Sequence, residues 1–319
     1  MITPRRSGNH LDTSAFAPRD LSSDKLPMRF VKTPHLRIGY EETGPVTGKT
    51  VVLMHGWPDD VRCWDKIVPA LAAGGYRVIA PWLRGSGPTT FLSADTMRSG
   101  AVAALTQDLA DFLDALNLGD AIVCGYDWGA RAGYGVAALF PGRLRGLLAM
   151  SAGYATAQPI REMTYGLAKA YWYEWMVALE LGRQAMDKDR LRLARFLWDT
   201  WSPDWPTKRQ DFDAMAPSLL NDDWAPISIH AYLQRWRERL GAPEHEDVER
   251  KLAQGPAIHV PTVVLHGAAD GCNLIETSAG KDRYFKGPYE RTVLDGVGHF
   301  IPQEAPQHTI DAIRRLSSN

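Results

Sequence analysis

Apolar residues recur along this chain in two rhythms. From about Met28 to Ser151, the runs TVVLMHG, YRVIAPW, AIVCG and LRGLLAMSAG are apolar for only a handful of residues and rich in β-branched side chains. Runs of that length read as buried strands. MRFVKT and LRIGYEETG read as an opening hairpin. Between the runs, SGAVAALTQDLADFLDALNL places Leu105, Leu109, Phe112, Leu113 and Leu116 on one helical face. A second helix is expected from Ala130 to Phe140, ending before Pro141. Alternation of this kind predicts an α/β fold with a mostly parallel central sheet flanked by helices.

The rhythm changes at about Tyr154. Up to about His259 the pattern is helical and rich in tryptophan, as in AYWYEWMVALELG, FLWDTWSPDW and ISIHAYLQRWRERLG. Alternation resumes with PTVVLHGAAD and YERTVLDGVGHF, and QHTIDAIRRL reads as a last helix. The expected organisation is therefore a core of residues 28–153 and 260–319, interrupted by a helical cap over 154–259. Residues 1–27 are polar, lack the apolar stretch of a signal peptide and read as a mobile leader.

Composition narrows the function classes. The chain has 319 residues, of which 45% are hydrophobic, enough for a substantial core. A net charge of -1 gives no reason to expect nucleic acid or an anionic membrane as partner. No apolar run approaches the roughly 20 residues of a membrane span. Cys63, Cys124 and Cys272 are scattered and odd in number, so neither a disulfide framework nor a metal set is expected. They read as buried reduced thiols of a cytoplasmic protein. A homo-oligomer is compatible with the sequence.

The chemistry is concentrated in Gly125-Tyr126-Asp127-Trp128-Gly129, between a strand and a helix. Glycines at both second neighbours of a central residue mark a nucleophile elbow, here with Asp in place of the commoner Ser. The turn is tight enough that flanking side chains must be absent. It lifts Asp127 above the sheet at a helix N-terminus, where an anion is favoured. A simple helix N-cap would account for Asp127 but not for both glycines. Asp270 ends the strand of PTVVLHGAAD, and His299 follows the last strand. The order nucleophile, acid, histidine is the order of an α/β-hydrolase triad.

With His55-Gly56-Trp57-Pro58 added, the chain resembles the α/β-hydrolase superfamily. The similarity is to the branch that contains epoxide hydrolases and haloalkane dehalogenases, and it covers nearly the whole chain from Met28. The resemblance implies backbone N–H donors from Trp57 and Trp128 as an oxyanion hole, with His55 orienting the loop and Pro58 fixing its turn. It implies Asp127 as nucleophile, with His299 and Asp270 driving hydrolysis. A carboxylate nucleophile suits an electrophilic sp³ carbon, displacing a leaving group to give an alkyl ester that water then cleaves.

Leaving-group chemistry separates the substrates. For an epoxide, Tyr232 in HAYLQRW and Tyr173 in AYWYEWMV are the expected ring-opening acids. The aromatic cap suggests a small hydrophobic or aromatic epoxide. The alternative is an organohalide, as in a haloalkane or haloacid dehalogenase, with Trp175 joining Trp128 as a halide clamp at the substrate pocket. Fluoroacetate dehalogenases carry an arginine where Arg131 stands, but also one where this chain has Trp128. Haloalkane dehalogenases often carry Asn in place of Trp57. Arg131 otherwise reads as part of a surface ion pair. No metal and no organic cofactor is expected. A non-catalytic small-molecule binder of the same fold is a further alternative, though it has no use for the three residues together.

Overall fold

The computed structural model describes residues 28–155 and 163–318, so the leader lies outside the described residues. Among the described residues nine strands form one sheet: β1 (Arg29–Lys32), β2 (Leu36–Thr43), β3 (Thr50–Met54), β4 (Arg77–Pro81), β5 (Thr90–Phe91), β6 (Ala121–Tyr126), β7 (Leu144–Met150), β8 (Thr262–Gly267) and β9 (Tyr289–Leu294). Their order is β1-β2-β4-β3-β6-β7-β8-β9, with the short β5 on the far part of β2. β1 with β2 is the expected hairpin, and β2 meets β4 antiparallel. From β4 to β9 every pairing is parallel. The residues of β6 and β8 are all buried, which is why AIVCGY and TVVLHG read as continuous apolar runs rather than alternating ones.

Helices α1 (Val68–Ala73), α2 (Val102–Ala115) and α3 (Trp128–Leu139) cover the sheet with α11 (Ile301–Glu304) and α12 (Pro306–Ser318). The insertion supplies α4 (Tyr165–Ala170), α5 (Trp172–Met176), α6 (Glu180–Lys188), α7 (Arg190–Trp201), α8 (Lys208–Met215), α9 (Trp224–Arg235) and α10 (Glu246–Ala253). On α2 the stripe Leu105, Leu109, Phe112 and Leu113 is buried, and the helix ends one residue before Leu116. α3 begins at Trp128, two residues earlier than the pattern suggests, because the elbow itself turns the chain into the helix. α10 turns back to pack on α2 and α3.

The tryptophans explain how the insertion holds to the core. Trp198, Trp201 and Trp205 gather on Phe300, with Trp198 and Phe300 centroids 4.3 Å apart. Rings of this size bury roughly 150–250 Å² each. The Trp198 indole N–H also donates to the Pro58 carbonyl at 2.8 Å, so α7 is fastened to the loop after β3. Among the described residues no helix is long and apolar enough to cross a membrane. Cys63, Cys124 and Cys272 are buried free thiols.

Candidate active site

Strand β6 ends at Tyr126, and the chain reverses through Asp127 into α3. Asp127 has φ 49° and ψ -114°, a conformation that L residues other than glycine rarely hold and that costs of order 1–3 kcal/mol. The glycines permit it. A Cβ on Gly125 would stand 2.5 Å from the backbone of Gly129, and one on Gly129 would stand 2.1 Å from the Met54 carbonyl oxygen. Asp127 precedes α3 yet makes no capping bond to it, so the N-cap explanation fails. Its carboxylate is taken up by other partners. Trp57 N–H donates to Oδ1 at 3.0 Å, and the Asn273 amide donates to Oδ2 at 3.3 Å. The residue is 5% exposed, under the helical insertion.

The loop that presents Trp57 N–H is held by His55. Leu83 N–H donates to His55 Nε2 at 3.0 Å, so Nδ1 carries the proton and donates to the Gly56 carbonyl at 2.8 Å. Burial pushes this imidazole down to about 4, more than its bond to Gly56 raises it, which keeps it neutral. Pro58 is buried, with its carbonyl engaged by Trp198. The two acids that follow are also structural. Asp59 accepts from the Tyr126 hydroxyl and from the Gln303 amide, the latter at 2.7 Å. It thereby ties this loop to the elbow and to α11. Burial and the neighbouring Asp60 push the Asp59 carboxyl up to about 8, against the lowering effect of these bonds. Asp60 caps the 3-10 turn Val61–Trp64 by accepting from Arg62 N–H at 2.8 Å.

His299 lies after β9, with Nδ1 2.9 Å from Asp270 Oδ2 and Nε2 4.0 Å from Asp127 Oδ2. Nε2 has no hydrogen-bond partner among the described residues. Burial lowers the His299 pKa, but the Asp270 charge and hydrogen bond and the Asp127 charge outweigh it, and the net direction is up. For Asp270 burial acts upward, and the charge and bonds of His299 and His266 win, so its carboxyl is held below the usual range. Asp270 also accepts from the N–H groups of Cys272 and Asn273 at 2.8 and 2.9 Å. The end of α7 clamps both loops. Gly271 N–H donates to the Trp201 carbonyl, and His299 N–H donates to Ser202 Oγ at 2.8 Å.

Above Asp127 the insertion closes an aromatic box around the Trp57 indole. Trp57 stacks with Trp128, Tyr173 and Trp224 and meets Tyr232 edge-on at 5.1 Å. Its indole N–H donates to Ser228 on α9 at 2.7 Å, so its side chain packs while its backbone faces the carboxylate. Tyr173 from α5 and Tyr232 from α9 cross at right angles, with ring centroids 5.2 Å apart. Burial first, then surrounding negative charge that includes Asp127, raises both phenols well above the ordinary value. They stay neutral donors. Trp128 and Tyr232 also line a cavity of about 170 Å³ with Arg131 and Arg235.

Two expectations are corrected. Trp175 is not at this site. It is 38% exposed, donates its indole N–H to the Ala168 carbonyl and packs on Trp236, because α5 turns Tyr173 inward and Trp175 outward. A Trp128–Trp175 clamp is therefore not assembled. Arg131 is not a surface residue either. It is buried, forms no salt bridge among the described residues and reaches only Asn273 Oδ1 at 3.5 Å. Asn273, which sequence reasoning missed, is central. Its amide donates to Ser151 O at 2.8 Å as well as to Asp127, and Tyr171 donates to its Oδ1 at 2.9 Å. An asparagine three residues after an acid carries no distinguishing signal in one sequence.

Comparison with known proteins identifies the fold family. The family model described as alpha/beta hydrolase fold matches residues 49–306. A crystal structure of a candidate epoxide hydrolase from Klebsiella pneumoniae subsp. pneumoniae MGH 78578 superposes with a TM-score of 0.86 at 34% identity, over 92% of this chain and 97% of that one. Epoxide hydrolase A of Mycobacterium tuberculosis is 24% identical over 89% of this chain and 95% of its own length. A haloalkane dehalogenase of Mycobacterium marinum is 37% identical, but over 33% of this chain and 35% of its own.

Proposed function

The chain belongs to the α/β-hydrolase fold family, as an epoxide hydrolase-like member, and from that premise we propose that it opens an epoxide to a diol through a covalent ester on Asp127. The observation that carries this reading is the meeting of Tyr173 and Tyr232 from two cap helices, both within the field of the Asp127 carboxylate. An epoxide oxygen needs proton donors as its carbon is attacked, and two neutral phenols supply them.

In the first step an Asp127 oxygen attacks a ring carbon, the C–O bond breaks and a tyrosine protonates the departing oxygen. In the second, His299 Nε2 takes a proton from a water standing between it and the ester, and hydroxide adds to the ester carbonyl. Asp270 holds the imidazolium that forms. The tetrahedral oxyanion exists only in this step. Its donors are Trp57 N–H, already on Oδ1, and Trp128 N–H, which as the first helical residue has no intrahelical acceptor. One such donor is worth about 3 kcal/mol. The substrate is a small hydrophobic or aromatic epoxide, since rings enclose the carboxylate.

Buried Arg131 favours a second reading. A buried guanidinium that forms no salt bridge among the described residues, on the first turn of α3, suits a substrate that carries a carboxylate, as a haloacid does. Turnover in ¹⁸O water separates the cases. An epoxide giving diol, with label entering Asp127 over several turnovers, is the expected result. Halide release from chloroacetate without epoxide turnover would replace the first reading with the second. No turnover of either, with intact protein, would leave a binder.

A further inference from the structure

Glu174 has no part in the reaction as described so far, yet it is bound to one of its acids. Its side chain is fully buried. The Tyr173 hydroxyl donates to Oε1 at 3.1 Å, Arg235 Nη1 donates to the same oxygen at 2.8 Å, and the Trp236 indole N–H donates to Oε2 at 2.8 Å. A carboxylate so placed draws the Tyr173 proton toward itself and away from the Asp127 side. If Tyr173 gave its proton toward Asp127 with Glu174 ionised, a phenolate would be left beside a buried carboxylate, and a proton on Glu174 removes that cost. We propose that Glu174 holds the proton that passes to Tyr173 when Tyr173 protonates the oxygen of the opened ring. The inference rests on the epoxide reading above.

The step balances. The Asp127 oxygen forms a bond to carbon, and the electron pair of the broken C–O bond goes to the ring oxygen. That oxygen takes the Tyr173 proton, Tyr173 takes the Glu174 proton, and the Glu174 carboxylate is left paired with Arg235. Hydrolysis of the ester by water regenerates ionised Asp127 and releases one proton, which restores Glu174. Glu174 acts through Tyr173 and is a positioning residue. The charged and titratable groups facing it are Arg235 from α9, Arg131 from α3, Tyr171, Tyr173, Tyr232 and Cys272. Burial raises its pKa, and the net direction stays up despite Arg235 and Arg131. A protonated fraction thus persists at higher pH than for an ordinary glutamate.

The test isolates the first step. Excess His299→Gln protein, which lacks the hydrolytic base, is mixed with styrene oxide, and the alkylated fraction is followed by mass spectrometry from acid to alkaline pH. The alkylation rate should fall as pH rises, with the slope of one proton and a midpoint above the ordinary value of 4.5. In Glu174→Gln that fall should be lost. In Tyr173→Phe, which leaves the Glu174–Arg235 pair intact, it should also be lost, so the test survives if Glu174→Gln fails to fold. A fall that persists in Tyr173→Phe, or a flat profile with both residues present, overturns the inference and leaves the epoxide reading in place. No alkylation of Asp127 at any pH removes the epoxide reading itself.

Discussion

The backbone N–H of Trp57 donates to Asp127 Oδ1 over 3.0 Å across 70 positions of sequence. The donor expected to hold the oxyanion therefore already rests on the oxygen that would become it. Preorganised donors need no rearrangement when charge develops. A Cβ on Gly56 would stand 2.8 Å from Asp127 Cβ and from the Tyr126 ring. Gly56→Ala should displace this donor and slow ester hydrolysis about 10²-fold, with a smaller effect on alkylation. Rapid-quench kinetics of the two phases would show it, and equal slowing of both would contradict the assignment.

The elbow holds Asp127 in a strained conformation. Asp127→Gly removes the carboxylate and the positive-φ penalty together. Turnover should fall by about 10⁴-fold or more. The melting temperature should rise, because strain relief of about 1–3 kcal/mol exceeds the added chain entropy of glycine, about 0.5–1 kcal/mol. Calorimetry that found a lower melting temperature would show that the conformation is relaxed.

The pH profile should separate the two chemical steps. On the proposed mechanism His299 serves as base only when neutral, and its pKa is raised. Hydrolysis should therefore decline as pH falls through a value above the ordinary 6.5, while alkylation, which does not use His299, continues. The covalent ester should accumulate on the acid side. Mass spectrometry of acid-quenched steady-state mixtures would detect it, and free enzyme alone at low pH would argue against His299 as the base.

Asp59 should govern stability in the opposite part of the scale from an ordinary carboxylate. Its folded pKa of about 8 lies above the ordinary aspartate value of 3.8. Between these values the folded state binds a proton that the unfolded state does not, so stability declines as pH rises from 3.8 to 8. Asp59→Asn keeps the shape of the protonated acid and should flatten that decline. Denaturant melts at several pH values would test it, and parallel curves for the two proteins would refute the shift.

Adjacent residues alone establish the α/β alternation, the interruption by helices, and the elbow with its acid and histidine in order. These are local statements. Strand and helix periods, and glycines demanded by a tight turn, are written in adjacent residues. Which residues of the insertion gather around the Trp57 ring is set by packing alone. A helix as short as α5 has no face until it packs, so Tyr173 and Trp175 read alike until one is buried and the other is not. Arg131 on α3 reads as a surface charge until α10 packs over that helix. Asn273, Ser202 and Glu174 were invisible because each acts through partners far off in the chain, and such contacts are fixed by packing rather than by any neighbouring residue.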